Sequence, residues 1–205
     1  MFNKNFKFLI FLLLLLLLFL SYIFISSKDS KVAEIKGFFP KNRLDKKEKL
    51  IYKILKIENE NFLSDSDKWQ LARAIVQVSE KLAIPDKEKI QDKPIKVEIF
   101  LLAWANSRSG FLRISNQGIG ILALNSYHFS KAKKEYNIEI EPNYDRENYY
   151  IQFKLANLLF KDLLSTGMTI KEAYNQIFLE RTSEEWQNLE VSYLKYYELA
   201  YSGRF

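Results

Sequence analysis

The stretch IFLLAWA, Ile99 to Ala105, constrains the fold most, because it carries no charged side chain at any position. Read as part of a helix over IKVEIFLLAWANSRSGF, it is apolar on every side, and a helix of that kind is surrounded by protein. Gly110 is placed to end it as a left-handed C-cap, since a residue without a Cβ takes positive φ at little cost. The rest of the chain is therefore read for elements that surround this one.

Those elements are mostly amphipathic helices. LDKKEKLIYKILKIENE puts Leu50, Ile51, Ile54, Leu55 and Ile57 on one face. A second helix follows SDSD, with Asp67 and Gln70 as a capping box, the stripe Leu71, Ile75, Val78 and Leu82, and Pro85 as its stop. SNQGIGILALNS is too short and irregular for a helix and reads as a turn with short extended pieces. Helices resume over Ser126 to Tyr136 and Asp145 to Leu164, the latter closed by Gly167. Thr169 with Glu172 and Thr182 with Glu185 form two more capping boxes, which open helices at about 170 to 180 and 183 to 201. There is no internal repeat. The fold class expected is mainly α with a small loop or hairpin insertion.

The N-terminus is of another kind. From Phe8 to Ile25 the chain is apolar apart from Ser21 and Tyr22, preceded by Lys4 and Lys7. A run of about 18 residues exceeds a secretory h-region and reaches the length of a membrane-spanning helix. The exit ISSKDSK has no small-x-small cleavage pattern, which favours an uncleaved signal anchor over residues 1–25, with a cleaved signal peptide as the alternative. Either way the remainder is exported. Lys28 and Lys31 on the far side blunt the positive-inside bias, so orientation is the weaker half of that reading. Residues 26–43 read as a tether, and about 160 residues from Leu44 to the end suffice for one core of one domain.

Composition narrows the setting. Without cysteine there is neither a disulfide framework nor a cysteine-linked lipid, so an exported domain must hold by packing alone. A formal charge of +6 favours anionic surroundings, such as lipid headgroups or acidic wall polymers, although a Lys-, Asn- and Ile-rich chain of AT-rich type discounts it. Nucleic acid is the poorer partner, since no basic-aromatic binding motif is present. One histidine and no cysteine leave no metal-ligand cluster, and His128 reads as an ordinary helix residue. No phosphate-binding loop, dinucleotide fingerprint or nucleophile elbow is found, and no cofactor is expected.

One ordered set of short motifs goes further. RSGF (Arg108 to Phe111), ISNQG (Ile114 to Gly118), GILALN (Gly120 to Asn125), the helical ENYYIQFKLANLLFKDLLSTG (Glu147 to Gly167) and EAYN (Glu172 to Asn175) follow one another between about Val97 and Phe178. In order and spacing the set resembles the lysozyme-like lytic transglycosylases of the SLT type. In that family a buried helix ends in Glu-Ser-Gly-Phe, then come Ser-x-x-Gly, Gly-Leu-Met-Gln, an Asn-containing helix and Ala-Tyr-Asn-x-Gly. The resemblance implies a lysozyme-like helical domain facing the bacterial cell wall from the inner membrane. It also implies peptidoglycan glycan strands as partner, and cleft positions at Arg108, Ser109, Phe111, Ser115, Gly120, Ala123, Tyr174 and Asn175.

The departures decide the expected activity. The family's glutamate protonates the glycosidic oxygen and later takes a proton from a sugar hydroxyl; Arg108 stands in its place. A guanidinium stays protonated at physiological pH and can do neither. A positioned acid-base group contributes about 10² to 10⁴-fold, so a one-carboxylate mechanism without it keeps little activity. The family's cleft glutamine is matched by Ala123, and the glycine after Tyr-Asn by Ile177. No catalytic residue is intact, and the expectation is a peptidoglycan-binding or scaffolding pseudoenzyme.

Two alternatives stay open. One is an active enzyme using a displaced carboxylate, for which Glu98 is about 15 Å up the helix and Glu135, Glu139 and Glu141 follow the Gly-containing stretch. The other is a helical envelope protein without sugar binding.

Arg108 itself reads in two ways: as a surface cation complementing the helix dipole, or, in line with Leu101, Trp104 and Ala105, as a groove residue gripping a peptidoglycan carboxylate. Tyr149, Tyr150, Phe153 and Phe160 read as core, with sugar stacking by a tyrosine as the sharper option. Tyr193, Tyr196, Tyr197 and Tyr201 dock the last helix or form an envelope-partner surface.

Overall fold

The computed structural model describes residues 45–58, 62–112, 114–115, 118–138, 148–178 and 183–202. The expected signal anchor (1–25) and tether (26–43) lie outside the described residues, as do Glu139, Glu141 and Thr182. The chain divides into two units, Met1–Arg43 and Leu44–Phe205, and the second is the one described below. Among the described residues no helix is long and apolar enough to cross a membrane.

The second unit is mainly helical. Its described elements are α1 (Lys46–Glu58), α2 (Asp65–Ser79), β1 (Lys89–Ile90), β2 (Lys93–Pro94), α3 (Val97–Ser109), β3 (Ile114–Ser115), β4 (Gly118–Ile119), α4 (Ser126–Tyr136), α5 (Tyr149–Ser165), α6 (Ile170–Phe178) and α7 (Ser183–Tyr201). β1–β2 and β3–β4 are two separate antiparallel hairpins. The apolar run of α3 lies at the centre, with every residue from Ile99 to Ala105 fully buried. Helix α7 packs along it most extensively, α1 and α2 also contact it, and α5 packs on α2 and α6.

Aromatic rings join the layers around α3. Trp104 packs against Phe160 of α5 and against Tyr174 and Phe178 of α6, with ring centroids 5.4 to 5.5 Å apart. These tilted and edge-on pairs suit the positive edge and negative face of each ring. Phe153 and Phe160 are fully buried, as core residues should be. Tyr193 and Tyr196 of α7 are also fully buried. The Tyr193 hydroxyl accepts from Lys96 N at 3.0 Å and donates to Pro94 O at 2.8 Å, so it ties α7 to the entry of α3. The tyrosine stripe therefore docks its helix, while Tyr201 remains 47 % exposed at the far end.

Local chemistry sets the boundaries, with several departures from expectation. The N-cap of α2 is Ser64, whose Oγ accepts from Asp67 N at 3.1 Å; Gln70 instead donates to Ser66 Oγ. Helix α2 ends at Ser79, well before Pro85, and Leu82 is buried beyond the helix. The hairpin β1–β2 was not expected: Gln91 and Asp92 take φ of 44° and 67°, the left-handed pair that matches strand twist in a tight turn. Helix α5 begins at Tyr149, capped by the Asn148 side chain. The box at Thr169 and Glu172 forms as read, with Thr169 N donating to Glu172 Oε2 at 2.8 Å and Glu172 N to Thr169 Oγ1 at 3.3 Å.

Candidate functional site

Helix α3 ends on Gly110, whose φ of 57° and N–H to Asn106 O make the left-handed cap. Phe111 follows with φ of 66°, an uncommon conformation for a residue with a bulky side chain. Its ring is buried, 6.5 Å from that of Tyr196 on α7. Two left-handed residues in succession turn the chain sharply back, so the next segment runs across the end of α3. Ser109 fastens that return: its hydroxyl lies 3.0 Å from Ala105 O and 2.7 Å from Ile121 O.

The returning segment closes on itself. Ser115 pairs with Gly118 in the β3–β4 hairpin; the Ser115 side chain lies outside the described set. Ile119 and Leu124 exchange backbone bonds at 3.0 Å, and Ala123 N donates to Gly120 O at 2.9 Å. This tight loop needs positive φ at Gly120 (77°) and also at Ala123 (51°), where an alanine tolerates what glycine would take freely. Gly118 is required by proximity, because a Cβ there would meet Ala123 O at 2.3 Å.

Arg108 sits in the last turn of α3, where a cation complements the helix dipole. It is not a surface residue: 6 % of it is exposed. Its guanidinium lies over the Phe178 ring, with Cζ 3.9 Å from the centroid, and Nη1 donates to Glu185 Oε2 of α7. A planar, weakly hydrated cation is suited to this combination of ring face and carboxylate. Glu185 is the partner that the sequence did not point to. The sequence suggested it only as a cap for α7 with Thr182, which lies outside the described residues, and gave no local sign that its carboxylate also reaches Arg108.

The remaining members of this corner are buried around the pair. Tyr174 is fully enclosed by Trp104, Phe178 and Trp186. Burial pushes its hydroxyl up to about 12, against the opposing influence of Ser107 and Arg108. His128 is 2 % exposed, with Nε2 at 2.8 Å from Ile177 O and Nδ1 accepting from Asn125 N at 3.0 Å. It is therefore more than an ordinary helix residue: it completes a capping box with Asn125 and ties α4 to the end of α6.

Of the expected cleft positions, the structure brings Arg108 and Tyr174 together and leaves Asn175 half-buried. Ser109, Phe111, Gly120 and Ala123 form the turn that crosses the end of α3, all four buried, with side chains spent on internal packing or bonding. Of the carboxylates considered as substitutes, Glu139 and Glu141 lie outside the described residues, and Glu98 and Glu135 pair with other partners. Glu98 is in the first turn of α3, at the opposite end from Arg108, and pairs with Lys47 at 3.7 Å. Glu135 pairs with Lys131 at 3.7 Å on α4. Among the described residues no cluster of metal-ligating side chains occurs. No protein-family model, curated protein or solved structure matches the chain.

Proposed function

We propose that the protein is a membrane-tethered cell-envelope component on a lysozyme-like scaffold, which binds or organises peptidoglycan glycan strands without cleaving them. One observation carries the reading: a partly buried ion pair closes the end of the central helix. Arg108, at the position where the family it resembles keeps its proton donor, is nine-tenths buried and neutralised by Glu185 of the same chain. A cation held by a ring face and a carboxylate cannot supply or retrieve a proton. The carboxylate brought to the spot has an oxygen already engaged by the guanidinium. Supporting features are the order of elements, a buried helix, a sharp left-handed turn, a short hairpin and a following helix, which matches the order of the family's motifs.

Arg108 as the grip for a stem-peptide carboxylate would require displacement of Glu185, so wall contact falls to the outer surface instead. The test is incubation of the full chain with purified sacculi, followed by sedimentation and analysis of soluble muropeptides. Retention on the sacculi without anhydro-muropeptide release is expected. Released anhydro-muropeptides overturn the non-catalytic half, and failure to sediment overturns the wall-binding half.

A further inference from the structure

The capping box of α4 is unusual in its chemistry. In a capping box the third helical residue returns a side-chain acceptor to the N-cap N–H, and glutamate or glutamine usually does so at any neutral or mildly acidic pH. Here the acceptor is a histidine. Asn125 Oδ1 accepts from Tyr127 N at 3.0 Å and His128 N at 3.4 Å, and Asn125 N donates back to His128 Nδ1 at 3.0 Å. The other ring nitrogen faces Ile177 O at 2.8 Å, and a carbonyl can only accept, so Nε2 carries the proton and Nδ1 does not. Both ring nitrogens are thus committed to opposite roles, and only the neutral imidazole can fill both.

We propose that His128 is a proton-operated latch on α4: the neutral ring closes the capping box and ties the helix to the end of α6, and protonation releases that end of α4. A proton on Nδ1 would set two N–H donors against each other across a bond now 3.0 Å long. It would also place a charge in a site 2 % exposed. The surroundings oppose that charge. From α3, Arg108 faces the ring as a cation whose own carboxylate is Glu185; from α4 itself, Lys131 adds a second cation. From α6 come the Ile177 carbonyl and the Phe178 ring, 5.5 Å from the imidazole and shared with Arg108, and Tyr127 adds a ring at 5.7 Å. Burial first, then Arg108 and Lys131, hold the imidazole below its ordinary value, although the Ile177 carbonyl works the other way.

The sign follows from linkage. A histidine whose folded value is depressed contributes stability in full above its unfolded value, about 6.5, and loses it as pH falls below that. Release is thus an acid response. The latch stands on geometry alone and does not depend on the proposed wall binding.

The experiment is amide hydrogen exchange on the full chain in detergent between pH 7.5 and 5, corrected for intrinsic rates, at Asn125, Tyr127 and His128. In the unaltered protein, protection is expected to fall below pH about 6.5 by up to about tenfold per pH unit, as one linked proton requires. In His128→Gln, whose side chain offers a neutral acceptor and donor at every pH, protection should stay level. Level protection in the unaltered protein, or an equal fall in both proteins, overturns the latch. Should His128→Gln not fold, ¹⁵N shifts of the His128 ring decide instead: Nδ1 must remain an unprotonated acceptor at pH 7 and gain its proton together with the loss of Asn125 protection, and titration without that loss overturns the proposal.

Discussion

The Arg108–Glu185 pair makes a quantitative prediction through Arg108→Met, which keeps an unbranched apolar stem and removes the guanidinium. Two contributions disappear. Breaking a fully buried ion pair by deleting one partner costs about 3 to 5 kcal/mol, whereas an exposed pair is worth about 0 to 1. Side-chain exposures of 5 % for Arg108 and 23 % for Glu185 place this pair between those limits, since water still reaches the carboxylate left behind. About 2 kcal/mol is therefore expected from the pair, with about 1 kcal/mol more from the cation over Phe178. The sum, about 3 kcal/mol, is a large fraction of the stability of a domain this size. Glu185→Leu strands the cation instead and should cost a similar amount. The double substitution leaves no buried charge, so it should cost about 2 kcal/mol less than the sum of the two single changes. Trp104 and Trp186 flank the site, so urea unfolding followed by tryptophan fluorescence on the full chain in detergent reads the change where it occurs. If Arg108→Met costs less than about 0.5 kcal/mol, or the two changes simply add, Arg108 is a solvated surface cation and the argument that it fills the proton donor's seat fails.

Two further substitutions test the surrounding frame. Gly118→Ala would drive a Cβ into the Ala123 carbonyl at 2.3 Å, and the obstacle is backbone rather than a flexible side chain, so a loss of about 1 to 3 kcal/mol is expected in the same urea measurement. Tyr193→Phe removes one donor and one acceptor that serve Pro94 O and Lys96 N, and should cost about 1 to 2 kcal/mol while leaving the far-ultraviolet helical signal unchanged.

Much of the helical frame was legible because its signals are local. The run from Ile99 to Ala105 announced burial on every side, Gly110 announced the cap, and Thr169 with Glu172 announced the start of α6. Boundaries slipped where two residues compete for one role. Ser64 took the α2 cap from Asp67 because a serine hydroxyl can both accept the backbone N–H and donate to the aspartate. The β1–β2 hairpin escaped because its turn is Gln-Asp, without the asparagine-glycine pair that normally marks positive φ. His128 escaped because a capping box is usually sought as Ser, Thr, Asp or Asn followed by Glu or Gln. An imidazole fits the same geometry only while it is neutral.

The functional corner was harder to read for a physical reason that Arg108 illustrates. Its own helix fixed everything local about it: last turn, in line with Trp104, just before the glycine cap. Whether such an arginine complements a dipole at the surface, grips a ligand or neutralises an acid depends on what stands opposite. That residue, Glu185, is far along the chain and stands in the first turn of its own helix. Short-range rules assign a carboxylate in a first turn to the helix it opens. The guanidinium reaches that carboxylate across the fold, a partnership that no first-turn rule reads. That pairing also explains why the corner reads as architecture rather than chemistry. Once cation and anion satisfy each other inside the fold, neither is held in reserve for a substrate. Whatever the protein recognises must then meet its exposed faces or first separate that pair.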